Sequence, residues 1–292
     1  GLGYDELAAI NPGLVLVRVT GFGQSGPYSA RAGYGSIGEA LGGMRSVSGN
    51  PDSAPSRVGI SIGDSLGGAF AAYGAVVALH ARRTTGRGQV VDSAIYEAVL
   101  AMMESLVPEY AVGGYTRERT GATLPNIAPS NVYPTADDEM VLIAANQDTV
   151  FRRLAGVMEQ PDLATDDRFA THTARGRHHA ELDELIATWT ATLKAGDLLA
   201  TLDDSGVPAG RIFKAADMLE DPHFQAREDI VRLPHPAFGE FPMHGVFPRL
   251  SETPGSVRWV GPELGEHNDE VYGGLLGLDE NEQAELHTGG VI

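Results

Sequence analysis

The sequence contains no cysteine. Disulfides, zinc–thiolate sites and cysteine nucleophiles are therefore excluded, and a reducing, cytoplasmic setting fits. Lysine is nearly missing too. It occurs only at Lys194 and Lys214, so arginine supplies almost every cation among the 21 basic residues. The guanidinium fork suits phosphate recognition. These cations are outnumbered by 39 acidic residues, for a formal net charge of −18. Such a field argues against nucleic acid or an anionic membrane as partner, while a local group of arginines can still hold one anionic small molecule. Long apolar runs are also lacking. The longest, from Leu66 to His80, reads as too short to span a membrane and runs into Arg82-Arg83. No signal-peptide pattern, P-loop, GxSxG elbow or HExxH pair is present. Gly21-Phe22-Gly23-Gln24-Ser25-Gly26 matches the dinucleotide spacing literally, but Pro27 follows where that fingerprint requires a long helix.

What the chain has in quantity is turn-forming sequence: 37 glycines and 17 prolines in 292 residues, 42% of them hydrophobic. That suits an α/β enzyme better than a helical bundle. Residues 5–11 read as the end of a helix stopped by Pro12-Gly13. Leu14 to Val19 is a β-branched run expected to be a buried parallel strand. A tight loop, residues 21–27, sits at its carboxyl end, where α/β proteins place ligands. Residues 34–43 suggest a short glycine-rich helix. Asp64 opens a helix running to about Arg82, with Phe70, Tyr73, Val76, Val77 and His80 at helical spacing. Gln89 to Asp92 is a short strand, and a further helix runs from Ala94 to about Tyr110.

The expected architecture is α/β, with a partial Rossmann-like parallel-sheet large domain over residues 1–110. A linker over 111–131 leads to a smaller α/β domain over 132–225. Residues 226–292 return to the large domain. Within the small domain we expect a strand at Met140–Ala144 and helices over 148–158, 180–193 and 197–204. His172, His178 and His179 read as part of a solvated loop rather than a metal site. Residues 226–262 read as irregular chain or short strands, and 268–286 as an acidic helix.

Asp64 invites two readings on residue chemistry alone. An aspartate at a helix start is commonly an N-cap that accepts backbone N–H bonds. However, Gly63, Gly67 and Gly68 flank it, and each glycine costs a helix about 1 kcal/mol. They make sense where something must approach the backbone closely. An ionised carboxylate at such an open helix start is suited to attack a thioester carbonyl.

Seven stretches resemble, in family order, the class III CoA-transferases (CaiB/BaiF, formyl-CoA transferase-like). They are GFGQSGPYSARAGY (21–34), VGISIGDSLGG (58–68), TGRGQVVDSAIYEAV (85–99), LPNIAPSNVYPT (124–135), LATDDRFATHTAR (163–175), SGVPAGRI (205–212) and ELGEH (263–267). The resemblance implies CoA transfer between an acyl-CoA donor and a carboxylic acid acceptor. Asp64 would form an aspartyl–acyl anhydride and then an aspartyl-CoA thioester. It implies CoA as substrate thioester with no permanently bound cofactor and no metal. It also implies CoA or substrate contacts at Tyr34, Ile95, Arg31, Gln24 and Gly63, and an interlocked homodimer. Gly35 departs from the acidic residue that many members carry there, and no oxalate-type glycine loop is recognisable at Thr120-Gly121-Ala122-Thr123. The family's racemases use a histidine where Tyr34 stands, and a tyrosine of ordinary pKa about 10 is a poor replacement. Racemisation and a non-catalytic module with Asp64 as a helix cap remain the alternatives. The chain begins just after a block typical of the family, so a further segment carrying the first βα units and basic CoA contacts is expected ahead of it.

Overall fold

The computed structural model describes residues 1–292. The chain divides into two compact units, Gly1–Arg211 and Ile212–Ile292.

The first unit opens with α1 (Tyr4–Ile10), β1 (Leu16–Thr20), α2 (Gly35–Leu41) and α3 (Met44–Val47). The long helix α4 (Ile62–Thr85) then returns the chain to β2 (Val90–Ala94), and α5 (Ile95–Ala101) and α6 (Leu106–Gly113) follow. Strands β1 and β2 are parallel, with Leu16 opposite Val90 and Thr20 opposite Ala94. Parallel neighbours need a long crossover, and α4 supplies it. The expected α/β order with a parallel sheet is therefore present.

Two expectations change. The strand β1 is not buried, because Val17 and Val19 are 38% and 46% exposed. Only one face of the two-stranded sheet carries a helical layer, so alternate side chains point away from it. The apolar stretch ending at His80 also proves longer than its sequence suggests. Helix α4 has 24 residues, Ile62–Thr85, stops at a left-handed Gly86, and is long and apolar enough to cross a membrane by length and composition alone. In this fold one face of α4 packs on β1, β2, α2 and α5. The contact runs through small residues, since Gly63, Gly67, Ala71 and Ala78 are its buried positions.

The rest of the first unit is an antiparallel sheet in the order β3 (Ser130–Pro134), β4 (Met140–Ala144), β5 (Ala209–Arg211). Helices α7 (Asp148–Val157), α8 (His172–Arg177), α9 (His179–Thr190) and α10 (Ala195–Asp204) accompany it. Tyr133, Ile143, Phe151, Leu182 and Leu198 are among its fully buried residues. The histidine tract is helical rather than a loop. Thr171 caps α8 by accepting a bond from the Ala174 N–H at 3.2 Å, and His178 forms the junction with α9.

Arg175, in α8, is fully buried. It donates to the carbonyls of Ala128, Phe169 and Asn146 and to Asp148 Oδ1 at 2.7–3.1 Å, and lies 4.6 Å over the Phe151 ring. A buried cation survives only with such complete pairing.

The second unit contains α11 (Ala215–Glu220), α12 (Pro222–Ala226) and an antiparallel hairpin of β6 (Ile230–His235) and β7 (Gly239–His244). A π-helical turn at Asp269–Leu275 and α13 (Glu280–Thr288) end it. The expected single acidic helix over 268–286 is thus two pieces, separated at Gly277, whose φ of +76° no regular helix accommodates.

Candidate active site

The sequence around Asp64 folds as a glycine-lined helix start. Ser61 is the N-cap of α4 and makes no side-chain capping bond. Asp64 is the third helical residue, so it does not open the helix as the spacing suggested. Its carboxylate is exposed and has no hydrogen-bond or ion-pair partner, so it is not a cap. The first helical acceptor is used by the Ser65 N–H, which bonds to Ser61 O at 3.0 Å. The N–H groups of Ile62, Gly63 and Asp64 thus lie in the unpaired first turn, where the helix dipole presents partial positive charge.

Three elements converge beneath that carboxylate. Gly35, the first residue of α2, is buried directly against it. A Cβ at position 35 would lie 2.1 Å from Asp64 Oδ2 and 2.6 Å from its Cγ. Only a residue without a side chain fits this arrangement. A Cβ on Gly63 would meet Gly35 O at 2.9 Å, Glu39 Cγ at 3.2 Å and Ile95 Cγ2 at 3.3 Å. Ile95 is 7% exposed and also packs against Gly38 and Gly67. It therefore lies under the site as a wedge between α2 and α4. Glycine is needed on both helices because a β-branched side chain occupies the space between them.

Glu39 is the one charged residue between Ala32 and Met44, and it is fully buried. Its Oε2 accepts from Arg45 Nε at 2.8 Å, while Oε1 is buried with no partner. Sequence reasoning missed this pair. The available signal was a lone acid in a stretch otherwise made of glycine and apolar or neutral residues.

The other expected residues sit on the loop after β1. Tyr34, which precedes Gly35, is 82% exposed. Arg31 stacks its guanidinium 3.8 Å over the Tyr28 ring. The Gln24 N–H donates to Asp92 Oδ2 at 2.8 Å, and its side-chain oxygen accepts from Arg18 at 3.1 Å. The structure therefore brings Gly35, Gly63, Asp64 and Ile95 together, with Tyr34 adjoining. No contact joins Gln24 or Arg31 to Asp64. No group of three histidine, aspartate or glutamate side chains is arranged to hold a metal ion.

Residues 1–268 match the family described as CoA-transferase family III. The chain belongs to that family. It is 59% identical over 292 residues to the succinyl-CoA–D-citramalate CoA-transferase of Chloroflexus aurantiacus, covering all of this chain and 73% of that protein. It is 36% identical to the succinate–glutarate CoA-transferase of Agrobacterium fabrum, covering 94% of this chain and 68% of that one. Among solved structures, a CaiB/BaiF family protein from Brucella suis superposes with a TM-score of 0.79 at 34% identity, covering 94% of this chain and 71% of that one. The chain is thus an enzyme of the class III CoA-transferase family, and its acyl-CoA and acid substrates follow from that class. The Asp64 carboxylate stands exposed and without a partner directly over Gly35.

Proposed function

We propose that the protein exchanges CoA between a dicarboxylic acyl-CoA and a second carboxylic acid, with Asp64 as nucleophile. The observation that carries this reading is the Asp64 carboxylate itself, exposed, without a partner and seated in the first turn of a 24-residue helix. The acids in the names of the relatives, succinate, citramalate and glutarate, all carry two carboxyl groups.

The chemistry balances without a net proton transfer. An Asp64 oxygen attacks the donor thioester carbonyl, the C–S bond breaks, and a mixed anhydride forms as CoA thiolate leaves. The thiolate then attacks the Asp64 carbonyl of the anhydride. Donor carboxylate departs, carrying one oxygen that belonged to Asp64, and aspartyl-CoA thioester remains. The acceptor carboxylate attacks this thioester and regenerates thiolate and an anhydride. Attack of thiolate on the acceptor acyl carbon gives the new acyl-CoA and frees Asp64. Each step is easier than direct exchange, which is the benefit of covalent catalysis. The unpaired N–H groups at the start of α4 are suited to stabilise the oxyanions, a role worth about 3 kcal/mol per donor in other acyl-transfer sites.

Exposed Tyr34, Arg31 and Gln24 are assigned to CoA, with Gly63 giving the thioester access to the backbone. Buried Ile95 acts from below by fixing α4 against α2. The parallel-sheet part of the fold is read as Rossmann-like. The protein is read as a cytoplasmic homodimer. Tyr73 and Val76 of α4, 69% and 65% exposed, support self-association.

The test is Asp64→Ala. Loss of exchange between succinyl-CoA and an acceptor acid, together with loss of a hydroxylamine-trappable acyl-enzyme, is expected. Retained exchange would sink the proposal.

A further inference from the structure

A cavity lies in the segment that leads into α4, with Arg57 in its lining. It has a volume of about 450 Å³ and lies between the loop from Val47 to Val58 and the segment from Arg117 to Pro125. The two walls are tied together independently of any ligand. The Gly121 N–H bonds to Gly49 O at 3.0 Å, and Arg119 donates to the carbonyls of Asn50, Pro51 and Ser53.

Three charged groups face this cavity, and they differ in availability. Arg117 is saturated, because Glu104 and Glu109 both accept from it. Glu118 is exposed and forms no ion pair. Arg57 has no carboxylate partner, although acids outnumber bases 39 to 21 in this chain. Its only bond is from Nη2 to Ser61 Oγ at 3.4 Å. Four donors of the fork are left for a ligand. The Ser48 and Ser56 hydroxyls line the same space and are also unpaired.

Position follows from Ser61. It is the N-cap of the helix that carries Asp64, three residues earlier. An N-cap and the third helical residue belong to the same first turn. The Arg57 guanidinium is thus tied, through Ser61, to the helical turn that carries Asp64.

We infer that Arg57 and this cavity form the subsite for the distal carboxylate of a dicarboxylic acid or dicarboxylic acyl group, and so set selectivity for diacids over monoacids. This rests on the nucleophile reading of Asp64, which places the reacting carboxyl at the other end. The planar fork of arginine matches a carboxylate through two parallel bonds, whereas serine hydroxyls alone would leave its charge uncompensated.

The experiment compares succinate with butyrate as acceptors in the wild type, Arg57→Gln and Arg57→Lys. The quantity read is the ratio of kcat/KM for the two acids. Arg57→Gln is expected to lower this preference by about ten- to a hundredfold, the usual worth of a charge-assisted hydrogen bond. Arg57→Lys should retain an intermediate preference, since charge remains and the fork is lost. An unchanged preference in Arg57→Gln, including a fall common to both acids, overturns the inference. Succinate binding measured by calorimetry gives a readout independent of turnover, and equal affinity in wild type and Arg57→Gln would overturn it equally. Asp64→Ala run beside these variants separates the two claims. If that variant still exchanges CoA, the nucleophile reading fails, while the binding comparison still decides the role of Arg57.

Discussion

At the scale of single residues, the contact between Asp64 and Gly35 has the sharpest consequence. With 2.1 Å between a residue-35 Cβ and Asp64 Oδ2, even alanine must displace the Asp64 carboxylate. A misplacement of about 1 Å at a reacting group costs on the order of a hundredfold in rate. Gly35→Ala is therefore expected to lower kcat by that order while the thermal midpoint moves little, because the carboxylate it meets is exposed and can swing away. Steady-state kinetics and calorimetry on the same sample check both halves. Asp64 itself was legible in the sequence, but only through the ordered family blocks. Its position before an apolar helical run pointed first to a helix cap, and the structure shows it two residues inside the helix with no capping bond. The departure at Gly35 was legible as a missing acid. Its steric reason was not, since that depends on how α2 meets α4.

At the scale of elements, one ion pair on a fully buried carboxylate braces the helix beneath Asp64. Arg45 is the sole partner of buried Glu39, on the helix that also carries Gly35. Arg45→Met is expected to destabilise by about 3–5 kcal/mol, because it strands a buried carboxylate. Glu39→Gln together with Arg45→Met should recover most of that loss in urea unfolding.

The acidic groups of the α7–α9 region add a pH signature. Hydrogen bonding from Arg175 lowers the Asp148 pKa, and hydrogen bonding from Arg168 lowers that of Asp166 to about 2. Both carboxylates are ionised more readily folded than unfolded. Their contribution is present above the ordinary 3.8 and is lost as pH falls toward about 2. Tyr133 has the opposite sign. Burial raises its pKa, and so does the bond it donates to Asp183 at 2.5 Å. Its contribution is complete below the ordinary 10.0 and declines as pH rises above that. Thermal midpoints measured across pH should fall at both ends, and Tyr133→Phe should flatten the alkaline limb.

Hydrophobic periodicity located β4, α7 and α10 within a residue or two, because each has one apolar face turned to a single core. It failed for α8, whose buried residues are an arginine and a glycine, Arg175 and Gly176. No pattern of apolar residues announces a helix fixed by hydrogen bonds to carbonyls from three other segments.

At the scale of the whole molecule, the distribution of apolar surface matters most. The outer face of α4 exposes Phe70, Tyr73, Val76 and Val77, and the open face of β1 exposes Val17 and Val19. Exposed apolar patches of this kind mark association surfaces. Light scattering after size exclusion should show a dimer, and Val76→Glu should shift the population toward monomer. Sequence alone gave the helical spacing of these residues but not their exposure, since spacing is the same for a stripe facing a core and one facing a partner.

On the proposed mechanism, Asp64 becomes covalently linked to the acyl group and to CoA in turn. Mass spectrometry of the Asp64 peptide, after turnover with an acceptor acid labelled with heavy oxygen in its carboxylate, tests it most directly. One oxygen of the acceptor should appear in the Asp64 side chain and later in the released donor acid. A peptide that stays unlabelled while exchange proceeds would rule out covalent transfer through Asp64.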